Sequence, residues 1–378
     1  MDFCMPSRRS FLATSGTLLA GVLAGCSGTI LSQSPDGTQW TASVPEPTSL
    51  SPPCVTNGWL TVGGYHSSQS GNSQLAVFDA TDGTRQWDID LERITGLTAS
   101  DGRIYAGERG GPRGAQAQIY AFDASSGEQL WTQAVNNLAS ALTVSDETLY
   151  AANGSLAALE TSDGTLRWEQ SSIDGIDFTV IAAPDDQLAA DDTAVYFGNQ
   201  GGVVALSPSN GTLLWAWQPE DWPSTTVGPL PVDSHVYVGA DGNVAALDRT
   251  TGQLQWRSSF GMDARVQGVH KTESSLLVTE STAQAPSGTF GTLYELSLQN
   301  GTERYERRFE TPVTQTTSTL DRFIVGTDAG QVTWVDRLSS FEQAQTTISS
   351  ETFLLGAGDE QVFAQTTNGT LYALTQPS

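Results

Sequence analysis

"VYVGADGNVAALDRTTGQLQW", residues 236–256, reads as two short strands, each followed by a turn, and a third strand ending on tryptophan. The apolar alternation running up to Asp248 is the period of a strand with one buried face. The Asp and Gly residues that follow are those a tight chain reversal demands. Relatives of the stretch recur: "IYAFDASSGEQLW" ends at Trp131, "LAALETSDGTLRW" at Trp168 and "VVALSPSNGTLLW" at Trp215.

Aligned on the last turn, the copies share one frame. Asp79, Gly83 and Trp87 are spaced four and four apart, as are Asp123, Gly127 and Trp131, and Glu160, Gly164 and Trp168. Ser207, Gly211 and Trp215 keep the same spacing, as do Asp248, Gly252 and Trp256. A sixth copy has Ser297, Gly301 and Tyr305, and a seventh keeps Asp336 but has Ser340 and Ala344 at the other two places. Successive copies lie roughly 37 to 49 residues apart, the period of a four-stranded propeller blade.

Each place in the frame has a physical reason. An Asp or Ser at the strand end accepts N–H groups from the turn. The glycine takes a positive φ without steric cost, so the chain reverses tightly. The aromatic residue offers a large apolar surface to fill the gap between neighbouring twisted sheets. One blade cannot bury that face alone, so the repeat is read as architecture.

The chain ends supply the blade count. The last copy, "QVFAQTTNGTLYALTQPS", stops at Ser378 where its final turn and strand should begin. "DGTQW", Asp36 to Trp40, resembles that missing piece, with one residue fewer between glycine and tryptophan. The expected fold is all-β: an eight-bladed propeller of four-stranded antiparallel blades, closed when the N-terminal strand completes the C-terminal blade. Closure removes free sheet edges. Seven blades is the alternative, because the seventh copy is degenerate. A single closed ring is expected to be monomeric.

The N-terminus reads as an export signal. Arg8 and Arg9 in "SRRSFLATSG" precede a mild apolar stretch and resemble a twin-arginine leader. That stretch, Phe11 to Gly25, is shorter than the roughly 20 residues that span a bilayer. "LAGC", Leu23 to Cys26, resembles a lipoprotein box, whose thiol carries the lipid. The expected organisation is a signal peptide over 1–25, a lipid-anchored tether over 26–35 and the propeller over 36–378. The membrane is then a partner through the lipid on Cys26, and the expected place is the outer face of the cytoplasmic membrane. With Cys4 removed and Cys26 lipidated, Cys54 is left alone and reads as a packing residue.

Composition narrows the partners. Forty-two acidic against 17 basic residues give a formal net charge of −25, and Lys271 is the single lysine. Such a surface repels phosphate backbones, so no nucleic-acid partner is expected. It resembles the Asp-rich, lysine-poor surfaces of proteins from salt-loving archaea, where salt screens the self-repulsion.

With its "ALD…TG…W" frame, the repeat resembles that of the pyrroloquinoline-quinone (PQQ) propellers, in which this segment is the tryptophan-docking motif. The resemblance covers residues 36–378. It implies blade-docking roles for Trp40, Trp87, Trp131, Trp168, Trp215, Trp256 and Tyr305, and turn roles for Gly83, Gly127, Gly164, Gly211, Gly252 and Gly301. The family holds quinoprotein dehydrogenases, which use PQQ and calcium, and non-catalytic lipoproteins of the BamB type, which serve as binding platforms. No adjacent cysteine pair exists here, and no calcium-ligand set or general base can be matched by motif. His66, His235 and His270 stand singly, so no metal site is expected. The expected function is a non-catalytic interaction scaffold for an unidentified protein, without cofactor. The alternative is a PQQ-dependent oxidoreductase, or a cofactor-binding accessory of one.

Three copies lengthen the loop between their second and third strands: Gly63 to Gln74, Gly107 to Gln118 and Glu280 to Gly291. Insertions gathered on one face mark a binding face in repeat proteins. The second contains Arg109 and Arg113, a basic spot on an acidic chain and the candidate partner loop. Asp185, Asp186, Asp191 and Asp192 form an acidic loop without metal-ligand spacing.

Overall fold

A computed structural model of the chain describes residues 35–44, 49–65, 73–108, 116–135, 140–152, 155–173, 176–177, 188–199, 202–219, 225–261, 263–284, 288–319, 322–336, 343–348, 353–358 and 360–377. Among them there is strand and turn but no helix. Apart from a two-stranded hairpin, Ser172–Ile173 with Ile176–Asp177, the strands group into eight antiparallel four-stranded sheets, seven of which are consecutive in sequence: 49–91, 94–135, 141–170, 188–217, 225–259, 264–309 and 313–347, numbered blades 1 to 7. Blade 8 takes three strands from 353–374 and its fourth, Thr38–Ser43, from the other end of the chain. Thr38–Ser43 pairs antiparallel with Thr370–Leu374, so the ring of eight closes without a free inter-blade edge. The first strands of successive blades contact one another around the ring, and blade 1 meets blade 8.

Blade 5 shows why the repeat folds this way. Its strands are Thr225–Val232, His235–Ala240, Asn243–Asp248 and Leu254–Ser259. The middle pair is buried almost throughout, while the fourth strand faces solvent except at Trp256. The third-to-fourth turn closes with the Asp248 N–H donating to the Gln253 carbonyl and the Gly252 N–H to the Asp248 carbonyl, both at 2.8 Å. Asp248 Oδ1 accepts the N–H groups of Thr250 and Thr251 at 3.0 and 2.8 Å. Ala246 then pairs with Trp256 and Leu247 with Leu254, which leaves Gln255 as a bulged residue. The same register shift precedes Trp87, Trp131, Trp168, Trp215 and Tyr305. In blade 8 the shift falls between Thr38 and Trp40.

One expectation changes. Of the three long second-to-third-strand loops, the third is largely hairpin, because Ser275–Gln284 and Gly288–Ser297 stay paired out to Gln284 and Gly288. Its β-branched and aromatic residues, Thr282, Thr289 and Phe290, carry the ladder onward.

Candidate functional site

The conserved frame of the repeat is spent between blades. Trp40 Nε1 donates to the carbonyl of Ala80 at 3.1 Å, Trp87 to Ala124 at 2.9 Å and Trp131 to Thr161 at 2.9 Å. Trp168 donates to Pro208 at 2.8 Å, Trp215 to Arg249 at 3.0 Å and Trp256 to Leu298 at 2.9 Å. Every acceptor lies in the next blade, one residue past the turn-opening position. The indole then lies against that turn's glycine, and a Cβ on Gly83, Gly127, Gly164, Gly211, Gly252 or Gly301 would come within 2.4 to 2.8 Å of it. Each glycine is required twice, for its positive φ and for the ring above it.

Two seams lack this clamp. Ala344 stands at the aromatic place of blade 7, and its cross-strand partner Trp334 fills the seam to blade 8 with Phe353, Leu355 and Val362. Tyr305, in blade 6, has no indole N–H and is 37% exposed.

A supporting residue went unread in the sequence. Tyr105, Tyr150, Tyr196 and Tyr237, each second in the "IYAG", "LYAA", "VYFG" or "VYVG" pattern of a second strand, pack against the indole of their own blade at 5.9 to 6.0 Å. Phe363 does the same for Trp40 at 5.9 Å. The signal was a repeated aromatic residue beside the first apolar residue of the second strand.

Antiparallel pairing sorts the connections onto two faces. First-to-second and third-to-fourth turns leave at one end of each blade, the turn face. Second-to-third loops and the connections between blades leave at the other, the loop face. Glu108 sits buried where the second long loop departs, accepting the Tyr120 hydroxyl at 2.8 Å and the Glu92 N–H at 2.6 Å. Burial, and then the Glu108 carboxylate, push the Tyr120 phenol up to about 12. Glu280 holds the equivalent place in blade 6, four blades around the ring, and is 1% exposed. It accepts the Thr282 hydroxyl, and burial pushes its carboxyl above the ordinary range. Nearby, the Arg308 guanidinium lies 3.4 Å from the Phe290 ring centroid. The loop face is thus footed on ordered side chains on both sides of the ring.

The turn face is acidic. A recess of about 650 Å³ there is lined by Asp101, Asp146, Glu147, Asp191, Asp192 and Arg167. Asp191 is committed to structure: its Oδ1 accepts the Thr193 and Ala194 N–H groups at 2.7 and 3.0 Å, and its Oδ2 meets Arg249 at 2.7 Å. Asp185 and Asp186 lie outside the described residues, as do Arg8, Arg9, Cys26, Arg109 and Arg113. Cys54 is buried among apolar side chains of blades 1 and 2. His270 is buried with its ring 4.2 Å from that of Phe323, and His235 stacks on Tyr237.

PQQ with calcium needs oxygen donors converging on one cation beside the quinone. Among the described residues no three His, Cys, Asp or Glu side chains converge in that way. Among the described residues the carboxylate donors do not gather to fit the group, and no step through it is derived.

The family model described as outer membrane protein assembly factor BamB matches residues 71–222 and 240–377. An outer membrane protein assembly factor BamB from Yersinia pestis is 28% identical over 158 residues, a match covering 37% of this chain and 38% of that protein. The crystal structure of BamB from Moraxella catarrhalis superposes with a TM-score of 0.65 at 16% identity, over 89% of this chain and 99% of that one. A quinohemoprotein alcohol dehydrogenase from Comamonas testosteroni gives 0.62 at 14% identity, over 90% and 76%. These two structural likenesses share the fold.

Proposed function

This chain belongs to the PQQ-repeat propeller family described as outer membrane protein assembly factor BamB, and on that premise we propose that it is an exported, lipid-anchored scaffold that holds a protein partner on its loop face. The carrying observation is where the sequence is spent. The repeat's specific residues are consumed in six inter-blade clamps. The surplus sequence of blades 1, 2 and 6 joins second strands to third, whose described ends lie on the face from which a rigid disc can present loops. The leader with Arg8 and Arg9 and the box ending at Cys26 support export and lipid attachment at the outer side of the cytoplasmic membrane. Among the described residues no helix is long and apolar enough to cross a membrane. The assembly role named for the BamB proteins supports a protein, rather than a small molecule, as the partner.

The candidate loop with Arg109 and Arg113 tests this reading. Glu108 is a structural carboxylate, so a deletion must spare it. Residues 109–115 are replaced by a two-residue Asp-Gly turn in the anchored protein. Partner recovery from cross-linked membranes should be lost with thermal stability nearly unchanged. Full recovery with the shortened loop would sink this assignment.

A further inference from the structure

The seam between blades 6 and 7 has neither the indole clamp nor the Trp334 filling. Leu277, Leu293 and Phe309 of blade 6 meet Val313, Phe323, Val325 and Val335 of blade 7 in one apolar cluster. Strand alternation places Thr279 on the same face as Leu277, and Arg307 on that of Phe309. It likewise turns Thr327 with Val325, and Thr333 with Val335, toward blade 6. Thr279 and Arg307 lie at one level, since both are cross-strand partners of Leu293.

These four residues share a second property. Apart from Asp191 Oδ2, which is ion-paired with Arg249, seven buried side-chain polar atoms among the described residues have no hydrogen-bond partner, and four of them are Thr279 Oγ1, Arg307 Nη1, Thr327 Oγ1 and Thr333 Oγ1. Four of the seven unmet polar atoms among the described residues are therefore gathered in one seam of the eight. The three threonines are 0% exposed. The Arg307 guanidinium lies 5.1 Å from the Phe309 ring centroid, and no described carboxylate pairs with it. Burial pushes it below the ordinary guanidinium range. A desolvated cation is costly unless countered. In a chain with 42 acidic and 17 basic residues a carboxylate would be the common counter-ion, yet the other unmet polar atoms turned into this seam are hydroxyls. A guanidinium fork with neighbouring hydroxyls is a donor set for a small anion.

We propose that the seam between blades 6 and 7 binds a small monovalent anion of chloride size on Arg307 and the hydroxyls of Thr279, Thr327 and Thr333, and that this anion holds the two blades together where the indole clamp is missing. The proposal is independent of the scaffold reading.

Chloride itself is the probe. The purified protein is melted in sodium chloride and in sodium gluconate at equal ionic strength. The melting temperature should be higher in chloride by about 2 °C or more, the scale of a ligand bound well above its dissociation constant in a large domain. R307Q should remove the difference, while R304Q, on the same strand, should keep it. Chloride-35 line broadening by the wild-type protein, reversed by bromide, gives a second readout if R307Q fails to fold. Equal melting in the two anions, an undiminished chloride increment in R307Q, or no bromide-sensitive broadening would each overturn the proposal.

Discussion

Trp215 and Arg249 are joined across a blade boundary: the indole N–H of one donates to the backbone carbonyl of the other at 3.0 Å. Trp215 is 7% exposed, so the bond works in a largely dry seam. Trp215→Ala removes the ring and leaves a cavity, and should cost about 3–5 kcal/mol of unfolding free energy. Trp215→Phe keeps most of the packing but leaves the Arg249 carbonyl unmet, for a loss of about 1–3 kcal/mol. Denaturant unfolding of both variants reads the order, and a Phe variant as unstable as the Ala variant would refute it.

Glycine at the next turn separates two costs. Gly252 has a φ of +68° and a built Cβ 2.5 Å from the Trp215 ring, whereas Gly58 has a φ of +81° with nothing within 4 Å. Gly58→Ala should lose only the left-handed backbone penalty, about 1–2 kcal/mol. Gly252→Ala should lose that and a further ~1–3 kcal/mol from displacing the indole. Equal melting temperatures for the two variants would show that the ring above the glycine contributes nothing.

These predictions mark what was legible in the residues. The Gly-to-Trp spacing exposed the blade and, through "DGTQW", the closure of the ring at Thr38–Ser43. The spacing could not show that each indole serves the following blade, since that depends on how the sheets stack. Trp334 was invisible as a filler because it replaces Ala344 from the neighbouring strand, a fact of register. The third long loop read as an insertion because Ser, Thr and Gln alternate with few large apolar residues, yet the ladder runs to Gln284. Arg307 gave no signal, because a single residue in a strand of otherwise exposed charges does not show that its Nη1 is covered in the fold.

Acidity should act on the ring in two senses. The Glu280 carboxyl is raised in the folded state by burial, so its stabilising contribution is complete below its ordinary value of 4.5 and lost as pH rises through the raised one. Asp123 and Asp248 are held below their ordinary range by hydrogen bonds, first from Ser125 and Thr251 respectively. Their contribution is present above that range and lost on acidification. Glu280→Gln should therefore become increasingly more stable than the wild type as pH rises above 4.5. Unfolding free energies of the pair from pH ~4 to ~8 measure this, and a constant difference would contradict it.

Calorimetric titration of the propeller with PQQ, with and without calcium, should give no saturable heat and no change in melting temperature. Micromolar binding would return the oxidoreductase reading to the front, although no such carboxylate cluster lies among the described residues.

The most direct test of the scaffold reading is photo-crosslinking in intact membranes from two positions, one on each face. A photoreactive residue replaces Gln116, beside the second long loop, or Asp82, at the exposed turn of blade 1. A discrete protein adduct from position 116 and none from position 82 is the predicted result. An adduct from position 82 alone, or from neither position, would contradict a partner held on the loop face.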